Sequence, residues 1–375
     1  MFKNKFHIIS LIVALVMGVL LIVAQIPSTQ TAPKNLPIAI VDADHSSTSA
    51  AIVKQLTSVT STGGENATTI KWSKVDSKAA VKKAMDQQKY YGALIIDANF
   101  AENAMSLASG KPINPSMNII INQAKNPTVA AAVQNVLTMM ANRAGQGVST
   151  QVLTKLQTLN MPVPATTAKT LLNPVEVKTE IVHNTTNKAT ASSSFFQPIW
   201  MGALLGSLMM MYAQKSLDQS DANKKWRNKV VELAVVAVIA LIAGFGTTLA
   251  AHTILGYDYG QFIEVALFAS LASFVFQLLM LGVQMWVGFI GLPVFALLML
   301  FAAPLMALAP EMLTAFYTNW VMPWLPMRFL LDGMRSIVYY NGGLWNGNTQ
   351  ALIWVGVIGL GLMISSMYKP QKASI

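Results

Sequence analysis

Residues 265–310 contain no Asp, Glu, Lys or Arg. A helix needs about 20 apolar residues to cross a bilayer, so this run is long enough for two crossings joined by a turn. The turn is expected at 286–293 (WVGFIGLP), where glycines and a proline interrupt the apolar pattern. A pair of buried helices in a large soluble protein would account for one such run. Further apolar runs at 8–24, 195–213, 230–250 and 351–367 place the chain among membrane proteins instead.

Composition agrees. The chain is 53% hydrophobic and 11% charged, where a soluble domain carries about 25% charged residues. The charge is unevenly spread: residues 26–196 hold 15 basic and 9 acidic residues and read as a water-soluble domain, while 197–375 are mostly apolar. The net charge of +10 therefore calls for no nucleic-acid partner; part of it is the cytoplasmic excess of Lys and Arg that membrane proteins carry. There is no cysteine, which excludes disulfides, thiolate metal sites and cysteine catalysis together.

Lys3 and Lys5 precede the first apolar run. That pattern fits a cleaved signal peptide or an uncleaved first span; the uncleaved span is expected, because no small-x-small cleavage site follows. Beyond it, residues 36–41, 68–72, 90–96 and 117–121 read as strands. The segments 48–58, 76–89 and 99–109 between them read as helices. Ser47-Thr48-Ser49 is expected to cap the first helix, and Ala79, Ala80, Ala84 and Met85 to form the apolar side of the second. This alternation argues for an α/β layer with a partly parallel sheet. A long helix is expected over about 129–159, stopped by Pro162 and Pro164, and 161–194 reads as an extended Thr/Asn/Ser/Pro connector.

The whole is a polytopic α-helical membrane protein with six transmembrane helices and an extracytoplasmic α/β domain between helices 1 and 2. Residues 1–27 form the first helix, 28–194 the outer domain, and 195–375 the other five helices with an amphipathic segment at 311–345. Five basic residues in 214–229 against none in 251–263 place the former loop in the cytoplasm. Both termini then lie in the cytoplasm of a plasma-membrane protein, with 28–194 and 311–345 outside. Lys3, Lys5, Lys369 and Lys372 agree with that orientation.

No constellation reads as an active site, so the chain is not expected to be an enzyme. His7, His45, His183 and His252 are isolated, and Asp42-Ala43-Asp44-His45 reads as a strand-ending turn rather than a metal site. No G-x-x-x-x-G-K-[ST] is present, so any ATP acts on another chain and no cofactor is expected on this one. Glu232 and Glu264 fall near span ends and read as interfacial. Gly202 and Gly206 have the spacing that lets helix backbones approach closely.

Two segments stand out. Residues 216–228 suit a short helix carrying Trp226 among Lys224, Lys225 and Arg227, either as an anchor on anionic lipid headgroups or as a docking point for a cytoplasmic partner. Residues 311–344 are too polar to span, with Arg328, Asp332 and Arg335, yet rich in aromatic residues and divided by Pro323 and Pro326. A pair of short re-entrant or interfacial helices fits, with Asp332 and Arg335 paired on one face.

Together with the topology, three stretches resemble the ABC-2 type permease family, and more narrowly its phage-infection-protein-like branch. They are 79–100 (AAVKKAMDQQKYYGALIIDANF), 119–127 (IIINQAKNP) and 325–342 (LPMRFLLDGMRSIVYYNG). Asp97-Ala98 departs from that family's pattern, which has a Pro-containing turn there. The resemblance implies a bacterial half-transporter that pairs with a second permease half and is driven by a separate cytoplasmic ABC ATPase, exporting an amphipathic or cell-envelope substrate. It implies that Lys224, Lys225, Trp226 and Arg227 couple to the ATPase, and that Pro323, Pro326, Arg328, Asp332 and Arg335 form an outer gate. The alternative is a non-transporting surface receptor or secretion scaffold whose outer domain does the work.

Overall fold

The computed structural model describes residues 5–29, 32–61, 67–109, 112–163, 165–217 and 221–369. Lys3, Pro164 and Lys372, named above, lie outside them. The chain divides into two compact units, residues 31–185 and the remainder.

The second unit begins with α1 (Lys5–Val23). The α/β unit then runs β1 (Leu36–Asp42), α2 (Ser47–Ser58), β2 (Ile70–Lys74), α3 (Lys78–Asp86), β3 (Gly92–Ile96), α4 (Phe100–Ser106), β4 (Ser116–Asn122), α5 (Pro127–Thr158), α6 (Ala165–Leu171) and β5 (Glu176–Val182). The sheet order is β2-β1-β3-β4-β5. β1 pairs in parallel with both β2 and β3, β4 runs antiparallel to β3, and β5 is parallel to β4. Successive side chains of a strand point to opposite faces. Accordingly Ala39, Val41, Ala93 and Ile95 pack with Val81 and Met85 of α3, while α2, α4 and α5 pack together beside the strands on the other face. Gly92 is a glycine because α5 crosses there: a Cβ would lie 2.7 Å from Val133 Cγ1.

Three expectations need correction in this unit. The connector at 161–194 contains α6 and β5, the latter a sheet-edge strand with no fully buried position; its largely polar residues hid it. The cap of α2 is Ser46, whose side chain accepts from Ser49 N while Ser49 Oγ reaches Asp42 Oδ2 at 3.0 Å. On α3 the buried residues are Val81 and Met85, and Ala79 and Ala80 are exposed. Asp42 and Asp44 do serve the local turn: Asp42 Oδ1 accepts from His45 N at 3.1 Å, and Asp44 accepts from Ala101 N in the first turn of α4.

The other unit continues with α7 (Phe196–Lys215), α8 (Ala222–Leu255), α9 (Phe262–Val287), α10 (Gly291–Ala307), α11 (Pro326–Tyr340) and α12 (Gly347–Ser365). Residues 222–255, 262–307 and 347–368 are long and apolar enough to cross a membrane, and 12–23 forms a shorter apolar helix. The break between α9 and α10 falls where the sequence places a turn: Gly288 has φ +70° and opens a single 3-10 turn to Ile290. α9 is the hub, packed by α7, α8, α10, α11 and α12. Close crossings are made by glycines. A Cβ on Gly244 of α8 would lie 2.6 Å from Ser270 Cα of α9, and one on Gly359 of α12 would lie 2.5 Å from Leu279 N. Gly206 faces Gln277, while Gly202 meets nothing within 4 Å.

Candidate functional site

The polar groups of the membrane-type unit gather at three levels along α9. At the α9 C-terminal end lies the start of α8. Asp221 caps it, accepting from Lys224 N at 2.8 Å. The helix then runs unbroken to Leu255, so Lys224, Lys225, Trp226 and Arg227 occupy its first turns rather than a separate short helix. Trp226 is 54% exposed and Arg227 is also exposed. Two residues later the same helix turns inward. Lys229 Nζ stands 3.0 Å from Glu232 Oε2 and 3.0 Å from Met285 Sδ, with both charged side chains about 95% buried (6% and 4% exposed). The expected interfacial Glu232 is therefore a buried half of an ion pair. The sequence carries a signal for it: Lys229 and Glu232 begin a row with Val236, Ala240, Gly244 and Thr248, all buried at helical spacing. Lys369, after α12, closes the same end by donating to the terminal carbonyls of α9, Met285 O at 3.1 Å and Trp286 O at 2.6 Å. A cation there complements the negative end of the helix dipole.

The middle level is a row on α9 itself. Ser273, Gln277 and Gln284 recur at intervals of four and seven residues, hence on one face. All three are buried to 1% exposure or less. Ser273 Oγ and both amide atoms of each glutamine lack a hydrogen-bond partner among the described residues. Hydropathy reading passed over them, because an isolated glutamine does not interrupt an apolar run.

The third level lies towards the α9 N-terminus. Pro323 is exposed in a 3-10 turn (Met322–Trp324), and Pro326 is buried at the first position of α11, where its missing N–H costs nothing. The expected pair of short helices takes the form of a short helical stretch, a five-residue π-helix (Tyr317–Val321) running into that 3-10 turn, followed by the 15-residue amphipathic α11. On α11, Asp332 receives two cations, Arg328 Nε at 3.1 Å and Arg335 Nη1 at 2.8 Å. The helix meets α9 at Gly333, where a Cβ would lie 2.7 Å from Phe268 Cε1. Phe268 and Met285 are 17 residues apart on α9, about 26 Å along its axis. The basic start of α8 and the Arg328–Asp332–Arg335 cluster thus stand at opposite ends of one helix, separated by nearly the thickness of a hydrocarbon core of about 30 Å.

A family model described as protein of unknown function (DUF3533) matches residues 7–358. No curated protein and no solved structure matches the chain.

Proposed function

We propose that this chain, which belongs to the DUF3533 family, is the membrane subunit of an ATP-driven exporter of amphipathic or cell-envelope substrates. On this reading it has six spans, with α1, α7, α8, α9, α10 and α12 crossing the plasma membrane. Both termini lie in the cytoplasm and the α/β unit lies outside. A second permease half completes the pathway, and a separate cytoplasmic ATPase supplies the energy.

The observation that carries the reading is the polarity of the α9 hub. One end gathers Lys224, Lys225, Arg227, Lys229 and Lys369. The other receives an amphipathic helix with a doubly paired carboxylate. A chain that only anchored an outer domain would need one span and no such hub. The exposed Trp226 and Arg227 in the first turns of α8 suit a docking point whose movement reaches α9 through one rigid helix.

The test is to co-express the chain with candidate ABC ATPases and measure association and stimulated ATP hydrolysis. An associated ATPase whose stimulation is lost on Trp226→Ala with Arg227→Ala supports the proposal. Absence of any associating ATPase, or full stimulation by the variant, refutes it. The receptor reading draws on the α/β unit having its own core. Deleting the whole α/β unit, residues 31–185, separates the two, since a permease keeps its ATPase-coupled pairing and a receptor loses its activity altogether.

A further inference from the structure

The Ser273–Gln277–Gln284 row is accommodated by its neighbours rather than tolerated by them. Gln277 Nε2 lies 3.0 Å from where a Cβ on Gly206 of α7 would stand, and Gln284 Cγ lies 3.1 Å from the corresponding point on Gly291 of α10. Each glutamine therefore sits opposite a glycine on the facing helix, and any larger residue there would crowd the side chain. Space is kept for two amides in the interior of a bundle whose surroundings are apolar. Phe276 and Phe295 each meet the Trp200 ring edge-on in the same α7–α9–α10 contact, and Trp200 donates its indole N–H to Phe295 O at 3.1 Å.

An amide buried without a partner bears the full desolvation of its donor and acceptor. Such groups in folded proteins are met by other protein atoms or by ordered water, which binds where two or more polar groups can reach it. Neither amide bonds a carbonyl of α9 or of the other described residues. Ser273 and Gln277 are one turn apart on one face of α9 and carry three unpartnered polar atoms between them. Gln284 presents two more, two turns further along, close to the α9–α10 turn.

We propose that the α7–α9–α10 seam binds water at two levels inside the membrane-type unit, one site shared by Ser273 and Gln277 and one at Gln284. The seam is a hydrated line within a wall that carries no charge over 46 residues (265–310). The proposal holds whether or not the chain transports anything.

X-ray radiolytic labelling read by mass spectrometry tests it, because hydroxyl radicals formed from a bound water oxidise side chains beside it that bulk solvent never reaches. Met280 is the reporter. It lies on the same face of α9, three residues from Gln277 and four from Gln284, and its exposure is 0%. Met334 of α11 and Met117 of β4, also 0% exposed, are buried controls. The whole protein in nanodiscs is expected to show Met280 oxidised several-fold faster than Met334 and Met117. Gln277→Leu with Gln284→Leu is expected to bring Met280 down to their rate while the exposed Met105 is unchanged. If that variant does not fold, the comparison of Met280 with the two controls in the unaltered protein decides. Equal labelling of Met280 and the controls there, or labelling of Met280 that persists in a folded variant, overturns the proposal.

Discussion

Adding one methyl group at Gly244 should separate the two helices that share the longest buried row. In an open helical position, Gly→Ala stabilises by up to about 1 kcal/mol through backbone entropy and propensity. Gly246 is such a position, with nothing within 4 Å of its absent Cβ. At Gly244 the new carbon would stand 2.6 Å from Ser270 Cα, and the obstacle is backbone, which no rotamer change can clear. The nearest backbone atom, Ser270 N, would stand at 2.4 Å, so reaching ordinary contact requires α8 to retreat from α9 by roughly 1 Å, within a close-packed interior that resists such shifts. Overpacking of this kind costs about 1–3 kcal/mol. Gly244→Ala should therefore lie about 1–3 kcal/mol below Gly246→Ala, the propensity gain being common to both. The assay is the thermal midpoint of the detergent-solubilised protein, followed by intrinsic fluorescence, for the two variants side by side. Gly359→Ala, aimed at Leu279 N, should behave like Gly244→Ala. Equal midpoints for Gly244→Ala and Gly246→Ala would refute the α8–α9 packing from which the reasoning starts.

Lys229→Met should destabilise by about 3–5 kcal/mol, because it leaves Glu232 buried without its cation; adding Glu232→Leu should restore most of the loss, as read from the same thermal midpoint. Burial holds the His183 imidazole below its ordinary value, with Asp86 pulling the other way. The native state therefore binds fewer protons than the unfolded one, and the stability from this group is complete above about pH 6.5 and declines as pH falls below it. His183→Gln should flatten that part of the stability profile of the full chain, and an unchanged slope would count against the assignment. Asp332→Asn should change stability by only about 1 kcal/mol, since its ion pairs are partly exposed. It should nevertheless abolish the proposed export, measured as ATP-dependent release of substrate, if the cluster works as a gate.

The parts of this fold that were readable in the sequence are those set by local pattern. β1, β3 and β4 are short apolar runs between turn signals, and the α9–α10 break is a glycine that needs positive φ. β5 was unreadable because its identity depends on pairing with β4, more than 50 residues away in the chain, and its own residues are largely polar. The charged start of α8 was visible as composition. Its division into an exposed set and a buried pair was not, because Lys229 and Lys225 look alike until the helix phase is fixed against α9. Gly202 and Gly206 carried the familiar spacing, yet the tightest crossings are at Gly244 and Gly359, where the deciding residue is on another helix. The Ser273–Gln277–Gln284 row is the clearest case. Uncharged polar residues leave a hydropathy profile almost unchanged, and only packing reveals that they lack partners.

The account stands on the basic start of α8 and the α/β unit lying on opposite sides of a membrane. The chain has no cysteine, so single cysteines can be placed without background at Asn223, beside that basic start, and at Thr154 on α5, both exposed. In intact cells a membrane-impermeant maleimide should label Thr154→Cys at once and Asn223→Cys only after lysis. Labelling of both from the same side would contradict the topology and, with it, the proposed coupling of α8 to a cytoplasmic ATPase.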